Sequence, residues 1–277
     1  MFSVLVSTMV ALGAAQAAAP ANPSTDIIVT GRAPIAADLA TRTVADVTIV
    51  STGLQLARFH APVCPTVVGG PAEAGRAIED RIRAIAVEVG ARTAERGCEG
   101  NLMLFFSDDG QGLVRDMRNK RPKWFAGLSK TKADLVEKGD GPVRAWAATS
   151  VRNQDGKIAR DDGDGDGPGS MQVRGASFMR QQTRLDIDAS MVVIDRAAAK
   201  GRSINEIADY VAMRGLALTK PPEQAGAATI LGLFNSSAGG THELTAFDLG
   251  YLTALYSGSG QESAVEERSR IARALSS

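Results

Sequence analysis

The sequence predicts an α+β fold in which a mixed sheet lies against a long backing helix and the C-terminal third of the chain is helical. Apolar residues recur at helical spacing between Pro71 and Gly90. The runs 102–106 and 191–194 are continuously apolar, which is typical of central strands covered on both faces. From residue 203 onward, every apolar pattern has the period of a helix. We expect one domain from residue 45 to residue 277.

Residues 1–17 are predicted to be an export signal. Met1 to Pro23 carry no charged side chain, and an apolar run of small residues ends in Ala15-Gln16-Ala17. The alternative is a membrane anchor, which needs about 20 strongly apolar residues, and Ser, Thr, Gly and Gln dilute this run. We therefore expect a periplasmic or secreted protein with no stable membrane span after cleavage of the signal.

Residues 18–44 are predicted to be a flexible tether, because they are rich in Ala, Pro and Thr and show little apolar periodicity. Within them, Asp26-Ile27-Ile28-Val29-Thr30-Gly31 resembles the TonB box of energy-coupled outer-membrane receptors. The alternative is a short extended segment that pairs with the edge of a sheet.

The first half of the domain is predicted to contain strands at 47–50, 57–63 and 102–106. Between the second and third of these strands, the backing helix spans residues 71–90. Its Ile78, Ile82, Ile85 and Val89 recur at spacings that place them on one face.

The middle of the chain is predicted to form short helices over 108–139 and then a hairpin. Its strands are 144–152 and 157–160, around an Asp-Gly turn. The second central strand follows at 191–194. Helices are predicted at 203–215, 227–234, 245–256 and 262–275, and two of them begin with capping boxes, Ser203 with Glu206 and Thr245 with Asp248.

The two cysteines, Cys64 and Cys98, are predicted to form a disulfide, as expected of a pair in an exported chain. The helix between them is about 30 Å long, and its flanking connectors can span about 40 Å, so the chain can return. The alternative is a metal-binding or nucleophilic thiol, but neither cysteine has a neighbour at ligand spacing.

Composition narrows the classes of partner. The chain has 31 basic and 31 acidic residues, and this neutrality argues against a nucleic acid or an anionic membrane bound through bulk charge. Aromatic residues make up only 5% of the chain, which leaves few rings for stacking on sugars or bases.

The order of elements and several short motifs resemble an uncharacterised family of secreted proteobacterial proteins that is related to zincin-like metalloproteases. The motifs are Asn101–Ser107, Ser203–Leu216, Leu244–Asp248 and Leu252–Tyr256. The resemblance implies a zincin-like mixed sheet, a backing helix and an active-site helix.

In those relatives, a His-Glu-x-x-His motif or a variant of it lies on the active-site helix just before a Gly-Leu pair, where it binds zinc and activates water. The resemblance places Ala208, Asp209 and Ala212 at the motif positions of this chain. Methyl groups cannot bind zinc, so we expect a degenerate motif. His242-Glu243 begins the motif elsewhere, but Ala246 stands where the second histidine is needed.

Asp162, Asp164 and Asp166 match the alternating carboxylates of an EF-hand loop, which makes them a weak calcium candidate. The twelfth position is Val173 rather than glutamate, and the alternative is a solvated hairpin tip. We expect no other cofactor.

Two further patterns match catalytic or phosphate-binding motifs only in part. Ser129 to Lys132 fits the S-x-x-K motif of a serine nucleophile, but Ser129 is more simply a helix cap. Gly70 to Ala77 partly matches a P-loop, but Arg76 and Ala77 stand where Lys and Ser or Thr would bind phosphate and magnesium.

Two clusters of charged residues also have simpler interpretations. A basic cluster between Arg115 and Lys123 precedes Trp124 and Phe125 and is interpreted as a solvated helix face followed by buried rings. Glu206 and Asp209 can be read as an acid pair, or explained by capping and solvation.

The sequence therefore predicts a noncatalytic periplasmic or secreted protein that binds another envelope protein through a degenerate peptidase-like scaffold. One alternative is a metal-dependent hydrolase with unconventional ligands, and the other is a TonB-system-associated envelope protein that uses residues 26–31. The candidate ligands for the hydrolase are Asp108, Asp109, Asp195, Asp209, His60 and His242.

Overall fold

The computed structural model describes residues 34–50, 55–153, 155–158, 181–235 and 241–277. Three predictions fall outside these residues: the export signal, the segment 26–31, and the calcium candidate Asp162, Asp164 and Asp166.

The described residues form eight α-helices and four strands. The helices are α1 (Ala37–Val47), α2 (Ala72–Glu88), α3 (Gly110–Lys120), α4 (Lys130–Lys138), α5 (Arg196–Ala199), α6 (Ile204–Gly215), α7 (Ala246–Ser257) and α8 (Ala264–Leu275). The strands are β1 (Pro65–Val68), β2 (Leu102–Ser107), β3 (Val143–Asn153) and β4 (Thr183–Asp195). Short 3₁₀ helices lie at Pro122–Phe125 and Ile230–Gly232.

The four strands form one mixed sheet in the order β1-β2-β4-β3. The first three strands of that order are parallel, and β3 pairs antiparallel with β4 at the edge. The structure therefore confirms the α+β class and places both predicted apolar runs, 102–106 and 191–194, in the two central strands.

Alternate residues of the central strands face two separate cores. Leu104 and Val192 belong to the larger core, which is formed with α1, α2, α6, α7 and α8. Phe105 and Val193 belong to the smaller core, which is formed with α3, α4 and the Trp124–Phe125 turn. A strand buried on both faces must be apolar at every position, which is why these runs show no alternation.

Most helical elements follow the sequence closely, but the predicted helix at 227–234 is wrong, because only a short 3₁₀ helix, Ile230–Gly232, forms there. The backing helix α2 packs against α6, and both contribute residues to the larger core. Both predicted capping boxes are present, Ser203 with Glu206 at α6 and Thr245 with Asp248 at α7.

The N-terminal part of the domain differs from the prediction. Residues 37–44, predicted as part of the tether, begin α1, and Ala40, Thr43 and Val44 are buried. The helix ends at Val47, so the predicted strand at 47–50 reduces to one bridge between Thr48 and Thr219. The predicted strand at 57–63 makes only single bridges, at Arg58 and Val63. Its apolar residues belong to the larger core, although the segment bonds to β4 only through Arg58.

The predicted hairpin is also different. The partner of β3 is β4, which follows about 30 residues later in the chain. Of the predicted strand 157–160, the structure describes residues 157 and 158, which accept the Asn153 N–H at the Lys157 carbonyl and form a bridge between Arg152 and Ile158. The Asp-Gly turn signal is local, whereas β4 is the strand that buries an apolar surface against the whole length of β3.

The predicted disulfide between Cys64 and Cys98 is confirmed. It joins the chain just before β1 to the chain just before β2. A span across a membrane requires about 20 apolar residues, and no helix in the described ranges has the length and hydrophobicity for one.

Candidate functional site

The degenerate motif positions on α6 face the protein interior. Ala208, Asp209 and Ala212 are all fully buried. The Asp209 carboxylate accepts a hydrogen bond from Arg81 Nε of α2 at 2.8 Å and one from the backbone N–H of Leu244 at 3.0 Å. Asp209 therefore connects α6 to α2 and to the segment before α7.

This arrangement corrects the interpretation of Glu206 and Asp209. Capping explains Glu206, whose carboxylate accepts from the N–H of Ser203, but Asp209 is not solvated. Its charge is buried and is balanced by Arg81, whose side chain is 41% exposed. A buried carboxylate is tolerated when a cation and an N–H donor satisfy it.

Glu206 and His242 form a polar pair at the start of α6. His242 Nδ1 lies 2.5 Å from Glu206 Oε1, and Arg202 contacts the same oxygen at 3.4 Å. Hydrogen bonds from His242, and then from the backbone of Ser203, lower the pKa of Glu206 from 4.5 to about 2. Glu206 is therefore an ionised structural group rather than a proton donor.

The other candidate hydrolase ligands are engaged separately. His60 Nδ1 lies 2.8 Å from Asp186, Asp108 pairs with Arg196 at 3.2 Å, and Asp195 lies 3.5 Å from Arg144. Asp109 caps α3 through the N–H of Gly112. Across the described ranges, no three His, Cys, Asp or Glu side chains are arranged to hold a metal ion.

The S-x-x-K motif has the structure of a helix cap. Ser129 accepts from the N–H of Lys132 at the start of α4, while Lys132 Nζ donates to the Val50 carbonyl at 3.3 Å. The lysine amine therefore bonds to a backbone carbonyl and does not contact the serine hydroxyl.

Most of the basic cluster lies on an exposed surface, as predicted, but of the two rings predicted to be buried only Phe125 is, and Trp124 is half-buried. Arg118 contacts Asp134 and Glu137. Beyond this surface, Phe125 stacks on Trp146 with ring centroids 4.9 Å apart.

A cleft of about 230 Å³ lies at the edge of the sheet, beside Ala145, Trp146 and Ala147 of β3. Its other walls come from α4 and the turn before it, from the chain after α6, and from Ile49. Most of the wall is apolar, including Leu128, Leu135, Val136 and Leu218. The charged side chains in the wall are those of Lys132 and Arg214.

The backbone of β3 lies at the floor of this cleft, where Ala145 is half-buried and Ala147 is buried. The Asp195 N–H bonds to the Pro142 carbonyl, and bonded and nonbonded pairs alternate along an antiparallel ladder. Ala145 and Ala147 therefore stand in nonbonded pairs with β4, and their N–H and carbonyl groups point away from the sheet. Thr149 also points outward, but its N–H is bonded to the Ala126 carbonyl.

Arg214 is the unusual charge in the cleft. It lies in the last turn of α6 and is only 8% exposed. Its Nε and Nη1 atoms are buried and have no hydrogen-bond partner in the described part of the chain. The guanidinium therefore presents donors that the cleft wall does not satisfy.

A second cleft, of about 320 Å³, lies beyond the carboxyl ends of the parallel strands, next to Gly70 and Gly75. This is the segment that approaches a P-loop in sequence. Two of its cations are already paired, Arg196 with Asp108 and Arg202 with Glu206. The cleft beside β3 is therefore the stronger candidate site.

Sequence reasoning missed this cleft. One signal was present: Arg214 is the only charge in the apolar stretch from Tyr210 to Leu218. The outward direction of Ala145 and Ala147 carries no such signal, because it depends on which side of β3 the strand β4 occupies.

No family model, curated protein or solved structure matches this chain.

Proposed function

We propose that this is a noncatalytic protein of the bacterial envelope, periplasmic or secreted, that holds an extended segment of another envelope protein along β3. One observation carries the proposal: β3 turns the free N–H and carbonyl groups of Ala145 and Ala147 toward an apolar cleft. An added strand would satisfy these groups, and its side chains would enter the cleft.

The geometry favours this edge of the sheet over the other. The opposite edge strand, β1, has only four residues, and its Val67 N–H is already bonded to Glu79 at 2.9 Å. The β3 edge has both the free backbone groups and the apolar wall that strand addition requires.

The noncatalytic part of the proposal is supported by α6. The positions that the zincin resemblance assigns to zinc ligands hold two buried alanines, and Asp209 is committed to Arg81. The order β1, α2, β2, β3, β4, α6 agrees with the layout that the resemblance implies. The strand-binding edge would then be the part of a peptidase scaffold that remains in use.

The envelope location is supported by the disulfide. Structural disulfides persist in oxidising compartments such as the periplasm and the extracellular space. The Cys64–Cys98 bond agrees with the export signal predicted for residues 1–17.

Strand addition is tested by NMR on the ¹⁵N-labelled full-length chain. The probe is an N-acetylated hexapeptide of alternating valine and threonine, and we expect the amide signals of Ala145 and Ala147 to shift on titration. The same hexapeptide with alternate backbone nitrogens methylated is the control and should leave these signals in place. Shifts confined to the cleft near Gly70 would overturn the proposal.

The variant Ala145→Pro tests the same edge from the protein side. It removes an outward N–H without touching the ladder to β4, and proline is tolerated at such edge positions. We expect peptide binding to weaken about tenfold, which corresponds to one lost hydrogen bond of about 1.4 kcal/mol. Circular dichroism should show an unchanged fold.

The noncatalytic part is tested by mass spectrometry of the hexapeptide after prolonged incubation with the protein and added zinc. We expect the peptide to stay intact. Cleavage of the peptide that a zinc chelator abolishes would contradict the noncatalytic part of the proposal.

A further inference from the structure

We propose that the bound segment ends inside the cleft and that Arg214 receives its C-terminal carboxylate. This inference rests on the proposed function, because it names the ligand group that the β3 edge takes.

Arg214 lacks the partners that other buried cations in this protein have. Arg58 is also nearly fully buried, and it contacts the Glu267 carboxylate and the carbonyl of Gly258. Arg144 donates to the Gly139 carbonyl and lies near Asp195. Arg214 has neither a carboxylate nor a carbonyl partner among the described residues. An unpaired buried guanidinium is costly, and an anion in the cleft would remove that cost.

The chemistry of the wall indicates a carboxylate with an apolar neighbour. Lys132 adds a second positive charge, and its Nζ contacts only the Val50 carbonyl in the described part of the chain. The remaining wall is apolar, apart from Thr219, whose hydroxyl already donates to the Met213 carbonyl. A planar guanidinium matches the two oxygens of a carboxylate.

The shape of the edge indicates a chain end rather than an internal acidic residue. Past Ala147, the next outward N–H belongs to Thr149 and is taken by the Ala126 carbonyl. Gly127 fills the adjoining space: it has a φ of +80°, and a Cβ there would lie 2.2 Å from Thr149 Oγ1. An added strand that runs parallel to β3 must therefore end beside Ala147, and its C-terminus lies there.

The size of the cleft agrees with a chain end. Clefts that enclose a whole small-molecule ligand usually measure about 300 Å³ or more. The cleft beside β3 measures about 230 Å³, which is enough for the last side chain of a peptide and its carboxylate.

The test compares three N-acetylated peptides that differ only at the charged group. The first ends in valine-leucine with a free carboxylate, the second has the same sequence with an amidated end, and the third is amidated and carries an internal aspartate. Binding to the full-length chain is measured by calorimetry. We expect the free acid to bind at least about tenfold more tightly than either amidated peptide, as a charged hydrogen bond would give.

The variant Arg214→Gln should abolish the preference for the free acid and leave the weaker binding of the amidated peptide unchanged. Arg42→Gln, at an exposed arginine of α1, is the matched control and should keep the preference. Arg214→Lys keeps the charge but loses the planar fork, so it should retain only part of the preference. It also provides a second variant if Arg214→Gln does not fold.

The outcomes separate the inference from the proposed function. Equal binding of free and amidated peptides, with shifts at Ala145 and Ala147, would overturn the inference and leave strand addition standing. Tight binding of the internal aspartate peptide would show that Arg214 receives an acidic side chain and not a C-terminal carboxylate. If the protein forms a dimer that Arg214→Gln dissociates, the group bound by Arg214 belongs to a second copy of this chain, and the inference is overturned. If none of the peptides binds, both proposals fail.

Discussion

Buried arginines in this protein differ in where their partners lie. Arg58 is held by the fully buried carboxylate of Glu267, and burial lowers the pKa of Arg58 from 12.5 to about 10. Arg214 has comparable burial and no such partner in the described residues. The same substitution at the two positions should therefore change stability in opposite directions.

We expect Arg214→Met to raise the free energy of unfolding by about 1 to 3 kcal/mol, because an apolar side chain replaces an unpaired buried charge. Arg58→Met should lower it by about 1 to 3 kcal/mol, because the buried Glu267 loses Arg58 and keeps only its contact with Arg270 at 3.1 Å. Urea unfolding of both variants and of the parent protein measures the change in unfolding free energy that each substitution causes. A loss of stability in Arg214→Met would show that its charge is already compensated.

Glu206 gives a pH dependence with a definite sign. Its pKa is lowered in the folded state, from 4.5 to about 2, so its ionised form stabilises the fold. That contribution is complete above about pH 4.5 and is lost as the pH falls toward 2. We expect Glu206→Gln to cost about 1 to 2 kcal/mol at pH 7, a value reduced because the His242 side chain is 73% exposed.

The measurement compares urea unfolding of Glu206→Gln and the parent protein at pH 7 and at pH 2.5. The difference between them should shrink at the lower pH. The control is Glu73→Gln, at an exposed glutamate in the first turn of α2, which should differ little from the parent protein at either pH. A constant difference at Glu206 would mean that its ionisation does not contribute.

At the scale of elements, α6 is fixed by polar contacts at two points. Glu206 caps its start, and Asp209 joins it to α2 and to the segment before α7. The sequence could predict the first contact, since a capping box involves residues three positions apart. It could not predict the second, because Arg81 lies 128 positions from Asp209.

We expect Asp209→Asn to lower the free energy of unfolding by about 2 to 3 kcal/mol, because the buried amide cannot balance Arg81 and loses part of its hydrogen bonding. Amide hydrogen exchange should speed up in both α2 and α6. Asp116→Asn is the matched control: it breaks an exposed pair with Lys120, which should contribute about 0.5 kcal/mol or less. Equal effects at the two positions would contradict the assigned role of Asp209.

Four of the longer helices and both central strands were predictable, and helix α1 and the pairing at the sheet edge were not. Periodicity and caps are local properties, so α2, α6, α7 and α8 lie close to their predicted bounds. Helix α1 was missed because its apolar residues are mostly alanine and valine, separated by threonines in a segment of biased composition. The partner of β3 was missed because a segment distant in sequence can pair with this strand in place of the adjacent one. The hydrophobic pattern of the whole sheet decides which segment pairs.

At the scale of the whole molecule, the sheet separates two cores, and the disulfide fastens one end of it. Cys64 and Cys98 lie before β1 and β2, at the end of these strands remote from the second cleft. The disulfide is next to β1, which is one edge strand of the sheet, and the cleft beside β3 lies at the other edge strand. Stability and peptide binding should therefore respond differently to loss of the disulfide.

The double variant Cys64→Ala/Cys98→Ala should lose roughly 3 to 4 kcal/mol of unfolding free energy, the entropy expected for a loop of this length. Reduction of the parent protein should give the same urea midpoint as the variant. Peptide binding at temperatures where the variant stays folded should be unchanged. An unaltered midpoint after reduction would contradict a structural role for the bond.

The closure of the β3 edge at Thr149 also bears on how the protein behaves when it is concentrated. Exposed strand edges are the usual starting points of aggregation, and stacking into fibres takes about six consecutive residues. Here the Ala126 carbonyl occupies the Thr149 donor, so the free stretch ends after Val143, Ala145 and Ala147. Such a short stretch is long enough to bind one added strand. It is too short to start the stacking of the protein into fibres.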